Sequence, residues 1–356
     1  MWKLGKFDIK GKVVLAPMAG YTSEGYRKYL NSFGVDICVT EMVSDMGLIY
    51  QNKETESYVK FKKDNVLTGL QLFGSDPDNM AKAARRVLDI NPDIDFFDVN
   101  MGCPVPKVTK TGAGSHLMLN PQLAGDIIRA LKSVTDKPIS AKIRLGYNEV
   151  NFKEVIKELE NAGVDAIGIH ARTRKELYSG EPHWDLLKDL RKEMSVPLMV
   201  SGNIYTLDDA INALEITGAE AVMVARGGVG NPFLIKQINH YFETGERLPD
   251  PTFLEQCDYC LELAKSMIEE KDEFTAMRIY RSIAPKFFSG FPNSRTLRTV
   301  LATSLTDYQS LVNIIEEFKA EIQWPLEVGG KEGVVHHKDE PVLLGDLGDS
   351  SDVGDF

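Results

Sequence analysis

A lone thiol, Cys103, closes the segment Phe96-Phe97-Asp98-Val99-Asn100-Met101-Gly102-Cys103-Pro104, where a strand-like apolar run breaks into a turn. Proline disfavours the α region for the residue before it, so this thiol is expected on a loop. Taken by itself a cysteine beside an apolar run is most simply a small buried hydrophobe. Its neighbours argue otherwise, because polar residues also stand at the ends of other apolar runs: Gln71, Asn100, Lys142, Arg144, His170, then Ser201-Gly202-Asn203 and Ala225-Arg226-Gly227-Gly228. Any one of them has a bland explanation as a satisfied rim or core residue. Together they describe a ring of donors and cations around a thiol.

The apolar runs are the elements that must position this ring. They fall at 13–16, 37–40, 67–73, 96–99, 139–143, 166–170, 198–201 and 221–225, and segments of helical spacing separate most of them. Asp76-Pro77, Asn120-Pro121 and Thr206 supply helix-start signals. Near-continuous apolar strands alternating with helices indicate a parallel sheet buried on both faces, and eight repeats suggest closure. The first strand-to-helix turn reads Pro17-Met18-Ala19-Gly20-Tyr21-Thr22 and lacks the Gly-rich fingerprint of an open dinucleotide-binding sheet. The expected fold is therefore α/β, a TIM (β/α)8 barrel over residues 1–250, in which strand C-termini carry the chemistry. From 251 the strands cease and helical spacing takes over at 253–270, 273–288, 294–302 and 307–320. A small all-α domain is expected over 251–327, and a disordered acidic tail over 328–356, whose composition cannot offset chain entropy.

Bulk composition sets the outer limits. With 43% hydrophobic and 26% charged residues the chain reads as an ordinary globular protein. No run of 18 or more apolar residues and no signal peptide is evident, so a cytoplasmic protein without a membrane partner is expected, acting as a monomer. Four cysteines make no disulfide framework. Cys257 and Cys260 form a C-x-x-C without a second pair, inside an expected helix, and read as structural; no metal is expected. A net charge of -11 argues against nonspecific nucleic-acid binding by the whole surface.

Flavin binding suits the ring of residues. The loops after strands seven and eight of barrels frequently hold a phosphate, which fits Ser201, Gly202 and Asn203 with Ala225 and Arg226. Gln71 offers an amide to the edge of an isoalloxazine ring. Lys142 places positive charge where a reduced flavin gathers negative charge. Small residues at Ala16, Pro17 and Ala19 leave room for a flat ring. FMN is the ligand this spacing favours.

The chain resembles a tRNA-dihydrouridine synthase from about Val14 to Trp324. The resemblance rests on Leu15-Ala16-Pro17-Met18-Ala19-Gly20, Thr40-Glu41-Met42, Gln71-Leu72-Phe73-Gly74, Asp98 to Pro104, Gly112-Ala113-Gly114, Lys142-Ile143-Arg144-Leu145-Gly146, Ile169-His170-Ala171-Arg172-Thr173-Arg174 and Ala225-Arg226-Gly227. It implies reduction of the C5=C6 bond of selected tRNA uridines, with NADPH (or NADH) reducing FMN and Cys103 supplying the proton to C5. It further implies that Asn100 hydrogen-bonds the uracil edge and that Lys142 and His170 contact the flavin or the substrate base; Pro17, Met18, Ala19 and Gln71 are expected at the cofactor and Arg144 at the substrate. Lys107 and Lys110, on the loop after Cys103, are expected to reach phosphates.

A uridine in folded RNA must leave its stack to enter a barrel pocket, which requires contacts outside that pocket. The stretch 274–300 carries Arg278, Arg281, Lys286, Arg295 and Arg298 with no Asp or Glu. In an acidic chain that is a local footprint for a polyanion. Arg172 and Arg174 are expected to extend the positive rim. The competing readings are another FMN barrel acting on a small pyrimidine, dihydroorotate dehydrogenase-like, and an RNA-binding protein that has kept a barrel scaffold.

Overall fold

The computed structural model describes residues 1–63 and 65–321. The acidic tail expected over 328–356, and the end of the expected helical segment, lie outside the described residues. The chain opens with a hairpin of β1 (Trp2–Leu4) and β2 (Phe7–Ile9), turned at Gly5 with φ 55°. Three-residue strands fall below the length at which alternation is readable, and the sequence did not announce them. The hairpin is followed by β3 (Val13–Leu15), β4 (Ile37–Ser44), β5 (Leu67–Phe73), β6 (Phe96–Met101), β7 (Ile139–Arg144), β8 (Ala166–His170), β9 (Leu198–Ser201) and β10 (Ala221–Val224). Each pairs in parallel with the next, and β10 pairs with β3 to close the barrel. These are the eight runs read from the sequence. Their ends shift where polar residues continue a strand: β4 passes Thr40 through an irregularity between Val39 and Met42, and β7 includes Arg144.

Alternation along the strands sorts side chains into two apolar groups. Outward-facing Phe97, Val99 and Met101 of β6 join the large core beneath the surrounding helices. Inside the barrel Val14, Ala16, Ile37, Val39, Phe96, Ala166, Met199, Ala221 and Met223 pack with Trp2, Leu4 and Ile9. The hairpin therefore plugs the N-terminal mouth of the barrel. Gly69 makes room for Phe96, whose ring lies 2.2 Å from where a Cβ would sit. The start signals work as expected: Asp76 caps Asn79, Asn120 caps Leu123, and Thr206 forms a reciprocal capping box with Asp209.

After Pro251 the described residues form helices Phe253–Glu270, Glu273–Tyr280, Ala284–Phe287, Arg295–Ser304 and Tyr308–Glu321. The single helix expected over 273–288 is broken after Tyr280, because Pro285 cannot sit in a helix interior and instead occupies the first turn of Ala284–Phe287. Cys257 and Cys260 are free and buried, and the Tyr280 hydroxyl donates to the Cys260 carbonyl at 2.5 Å. These helices share one continuous apolar core with the barrel.

The seam between barrel and helices is tight. Glu270 accepts from the Ser23 hydroxyl and the Gly25 amide, both at 2.6 Å, at the start of helix Glu24–Asn31. Burial alone would raise its pKa, but Ser23, Gly25 and Lys271 hold the carboxylate below its usual range. Gly230 has φ 77°, and a Cβ there would lie 2.4 Å from the Lys286 carbonyl carbon. Gly230→Ala is expected to cost about 2 kcal/mol through overpacking and strain. Differential scanning calorimetry should record a drop of roughly 4–8 °C in Tm.

Candidate active site

The polar layers occupy the upper barrel because strand registers put them there. Gln71 on β5 is level with Asp98 on β6, Asn100 with Lys142 on β7, and Arg144 with His170 on β8, which in turn is level with Ser201 on β9. Asn100 donates to the Gln71 carbonyl oxygen at 2.8 Å, and its own Oδ1 accepts the backbone N–H of Cys103 at 2.9 Å and of Gly102 at 3.2 Å. That three-residue turn stops β6 and aims the thiol along the rim. Cys103 is half-buried on an irregular segment, as its proline neighbour implied. Its carbonyl accepts from Ser115, and Gly114, at φ 61°, lies so close that a Cβ would meet the Cys103 carbonyl at 2.9 Å. The Gly-Ala-Gly run seen in the sequence is thus the backing of the thiol loop.

Burial raises the Cys103 pKa against the opposing pull of the Val105 amide, Arg144 and Lys142. The sulfur therefore carries its proton at neutral pH. Lys142 is lowered to about 8 by burial and by Arg144, with Asp98 and Cys103 resisting. His170 is pushed well below its ordinary value by burial and then by Arg144, Lys142, Arg172 and Arg226. It is neutral, and its Nε2 faces Arg172 Nη1 at 3.2 Å. A guanidinium only donates, so Nε2 is the acceptor and Nδ1 carries the ring proton.

Two expected substrate contacts turn out to be fasteners. Arg144 is fully buried, and its guanidinium donates to the carbonyls of Gly102 (2.7 Å), Thr173 (2.9 Å) and Leu177 (2.7 Å). Arg172, expected on the exposed rim, is also fully buried; it donates to Ser179 at 3.0 Å, to Gly180, and to Asn203 Oδ1 at 3.1 Å. A desolvated guanidinium with five donors must satisfy them, and loop carbonyls are the acceptors within reach. The two arginines lash down the segment 173–180 from both ends. Arg174 does lie toward the surface, its guanidinium 5.0 Å from the Tyr147 ring.

The lashed segment carries Tyr178, which the sequence did not single out. Its ring lies 5.2 Å from the Arg144 guanidinium, 5.3 Å from that of Arg226 and 5.9 Å from the His170 ring. Cation–aromatic pairing between residues distant in sequence leaves no local pattern to read. Arg226 is exposed at the end of β10, and Gly227 approaches the next loop so closely that a Cβ would collide with the Ile204 carbonyl oxygen at 1.8 Å. Gly202 and Asn203 have φ 134° and 46°, so the turns after β9 and β10 press together into a concave backbone. Across the mouth, Pro17 and Met18 are half-buried, Ala19 is exposed, and Glu41 ties their turn down by accepting from Gly20 at 2.7 Å.

Lys107, in the short helix Pro106–Thr109, and Lys110 are exposed beside the thiol loop. In the helical segment Arg278 and Arg295 are exposed, Arg281 donates to the Leu305 carbonyl at 2.7 Å, Lys286 lies 5.9 Å from the Tyr21 ring, and Arg298 is half-buried. Two acids of neighbouring helices are engaged elsewhere, Glu269 with Lys28 and Glu316 with Lys319.

A closed parallel barrel whose strand C-termini gather a protonated thiol, a half-buried lysine and a neutral histidine defines a (β/α)8 enzyme scaffold. The family profile described as "Dihydrouridine synthase (Dus)" matches residues 14–323. The chain belongs to the dihydrouridine synthase family. It is 34% identical over 315 residues to a "Probable tRNA-dihydrouridine synthase" of Aquifex aeolicus, covering 87% of this chain and 96% of that one. It is 33% identical over 301 residues to a protein of the same description from Rickettsia conorii, covering 84% and 90%. A "tRNA-dihydrouridine synthase B" of Pseudomonas putida aligns at 30% identity over 334 residues, covering 93% and 98%. Among the described residues no helix is long and apolar enough to cross a membrane.

If Arg172 fastens the 173–180 segment, Arg172→Met should accelerate amide exchange there by about tenfold or more, matching roughly 1.4 kcal/mol of lost closure. Exchange in β8 itself should stay as in the parent protein.

Proposed function

We propose that this protein is an FMN-dependent tRNA-dihydrouridine synthase, reducing the C5=C6 bond of uridine in tRNA in the cytoplasm with NADPH, or NADH, as reductant. The observation that carries the reading is Cys103: a thiol kept protonated by burial, aimed by Asn100 and set near Lys142. The residues present fit a flavin mononucleotide. Gly202 and Gly227, where an added Cβ would be strained or clash, and Asn203 at positive φ leave a concave backbone suited to a phosphate that Arg226 would neutralise, with Ser201 and Ala225 at its edge. Pro17, Met18 and Ala19 would border the ring from one side; Gln71, Lys142 and His170 would meet its polar edge. When bound and reduced by the nicotinamide, FMN supplies the hydride that enters at C6 of the uracil ring.

The protein supplies the rest. Cys103 gives the Sγ proton to C5, so one hydride and one proton saturate the double bond and a thiolate remains to be reprotonated from solvent. Lys142 and Arg144 stand close enough to stabilise that thiolate. The Asn100 amide nitrogen donates to Gln71 and faces the Met42 sulfur at 3.6 Å, a weak acceptor that the uracil edge would replace. His170, neutral with its proton on Nδ1, donates without adding charge. Arg174, Lys107 and Lys110 on the rim, with Arg278, Arg281, Lys286, Arg295 and Arg298 on the helices, would hold the RNA backbone while the base is drawn in.

Enzyme reduced with NADPH without oxygen should be reoxidised by unmodified tRNA and not by orotate, followed by flavin absorbance; the reverse would favour a small-pyrimidine oxidoreductase. In the same assay Cys103→Ala should retain FMN and tRNA affinity and lose about 10²–10⁴-fold in reoxidation by tRNA. Loss of flavin instead would remove Cys103 from the proton-donor role.

The lowered pKa of Lys142 gives a pH dependence. Its charged form exists below about pH 8 and is lost above it. Single-turnover tRNA reduction should therefore fall on the alkaline side near that pH, before Cys103 ionises. Lys142→Arg, which keeps its charge, should move the fall to higher pH.

A further inference from the structure

Asp98 lies on β6 two residues before Asn100 and so on the same inner face of the barrel, one layer deeper. Its carboxylate accepts the Ser140 hydroxyl at 2.5 Å and the Gln71 side-chain amide nitrogen at 2.6 Å. Gln71 accepts from Asn100 at 2.8 Å, and Asn100 accepts the Cys103 amide at 2.9 Å. Every bond in this chain has a direction. Glutamine and asparagine each carry an oxygen and a nitrogen at the two ends of a planar amide, so orienting one amide dictates the orientation of the next. Burial raises the Asp98 pKa against the opposing pull of Ser140, Gln71 and Lys142, and in its ionised form the carboxylate is acceptor-only. With Asp98 at the base, Gln71 must turn its nitrogen down and its oxygen up; Asn100 must then turn its nitrogen to Gln71 and its oxygen to the thiol loop. The opposite orientation of Asn100 would face its NH₂ group with the backbone N–H groups of Gly102 and Cys103, donor against donor.

We propose that Asp98 is a positioning residue: it sets the hydrogen-bond polarity of the Gln71–Asn100 pair and thereby holds the Cys103 loop in the geometry for proton transfer. The inference rests on the function proposed above for the thiol. It also answers why a carboxylate sits one layer above the apolar layer of Phe96: a neutral apolar residue would pack there without telling Gln71 which way to face. Asp98 touches neither the reacting base nor the thiol and acts through two side chains. An asparagine at this position preserves the polarity, because its oxygen faces Gln71 while its nitrogen donates to the Ser140 hydroxyl, which rotates to accept. An isosteric leucine preserves neither direction.

The test compares Asp98→Asn, Asp98→Leu and Gln71→Leu in the holoenzyme, with two readouts. Amide exchange at Gly102 and Cys103, which needs no assumption about substrate, should accelerate in Asp98→Leu and Gln71→Leu and stay near the parent rate in Asp98→Asn. Reoxidation of the reduced enzyme by tRNA should fall about 10²-fold in the two leucine variants, the scale of a misplaced reacting group. Flavin reduction by NADPH, which does not use the thiol but does feel Gln71 at the flavin edge, should fall far less than tRNA reduction in Asp98→Leu, and Asp98→Asn should restore most of the tRNA rate. Because both leucine substitutions break one chain, Asp98→Leu/Gln71→Leu should be no slower than the worse single variant. Equal losses in Asp98→Asn and Asp98→Leu would overturn the proposal by showing that charge, not polarity, matters. So would unchanged exchange at Gly102 and Cys103 in both leucine variants, or an equal fall in the NADPH and tRNA steps. Should Asp98→Leu not fold, Asp98→Ala, which also removes both acceptors, takes its place on the same two readouts. If the parent enzyme fails to reduce tRNA, the proposed function falls, while the exchange readout still judges Asp98.

Discussion

Polar groups placed inside a closed barrel have no solvent to fall back on, and the upper layers of this one are built around that constraint. Gln71, Asp98, Asn100, Lys142 and His170 all project into the interior, where an unsatisfied donor or acceptor costs about 1–3 kcal/mol. The strand registers resolve the problem by setting complementary groups level with one another, so that the side chains hydrogen-bond across strands and arrive at the rim already oriented. The environment that restricts them also tunes them. Burial keeps the proton on Cys103 and off His170, and brings Lys142 toward neutrality.

The rim is fastened by the same logic. Arg144 and Arg172 are too well buried to remain undecided about partners, and loop carbonyls are what the fold offers them. The consequence is a rigid strap, 173–180, that delivers Tyr178 over the mouth between two guanidinium groups. On the opposite side Glu270 joins the helical segment to the start of the first barrel helix, directly after the turn that bears Pro17, Met18 and Ala19. The helices and that turn are thus one mechanical unit.

Much of this was legible in the sequence, and for identifiable reasons. All eight barrel strands are dense apolar runs bounded by turn residues, and the thiol announced its loop through Pro104. The helix starts at Asp76, Asn120 and Thr206 depend on local chemistry and were readable. What could not be read depends on distance in three dimensions. The arginines at 144 and 172 look like rim cations until the carbonyls of 173–180 are brought around them. Tyr178 has no signature because its partners come from other strands. Asp98 sat in plain view within the motif, yet its role needs Gln71 from a neighbouring strand. Pro285 marks a helix start rather than an interior, a local signal that the helical spacing over 273–288 conceals.

The N-terminal hairpin has a bearing on traffic. Trp2, Leu4 and Ile9 fill the barrel's lower end, and Trp2 is pinned by its indole N–H to the Gly11 carbonyl at 3.2 Å. A tube stoppered at one end has a single doorway. Under the function proposed above, the reductant and the nucleic-acid base would share that opening and would have to take turns in it.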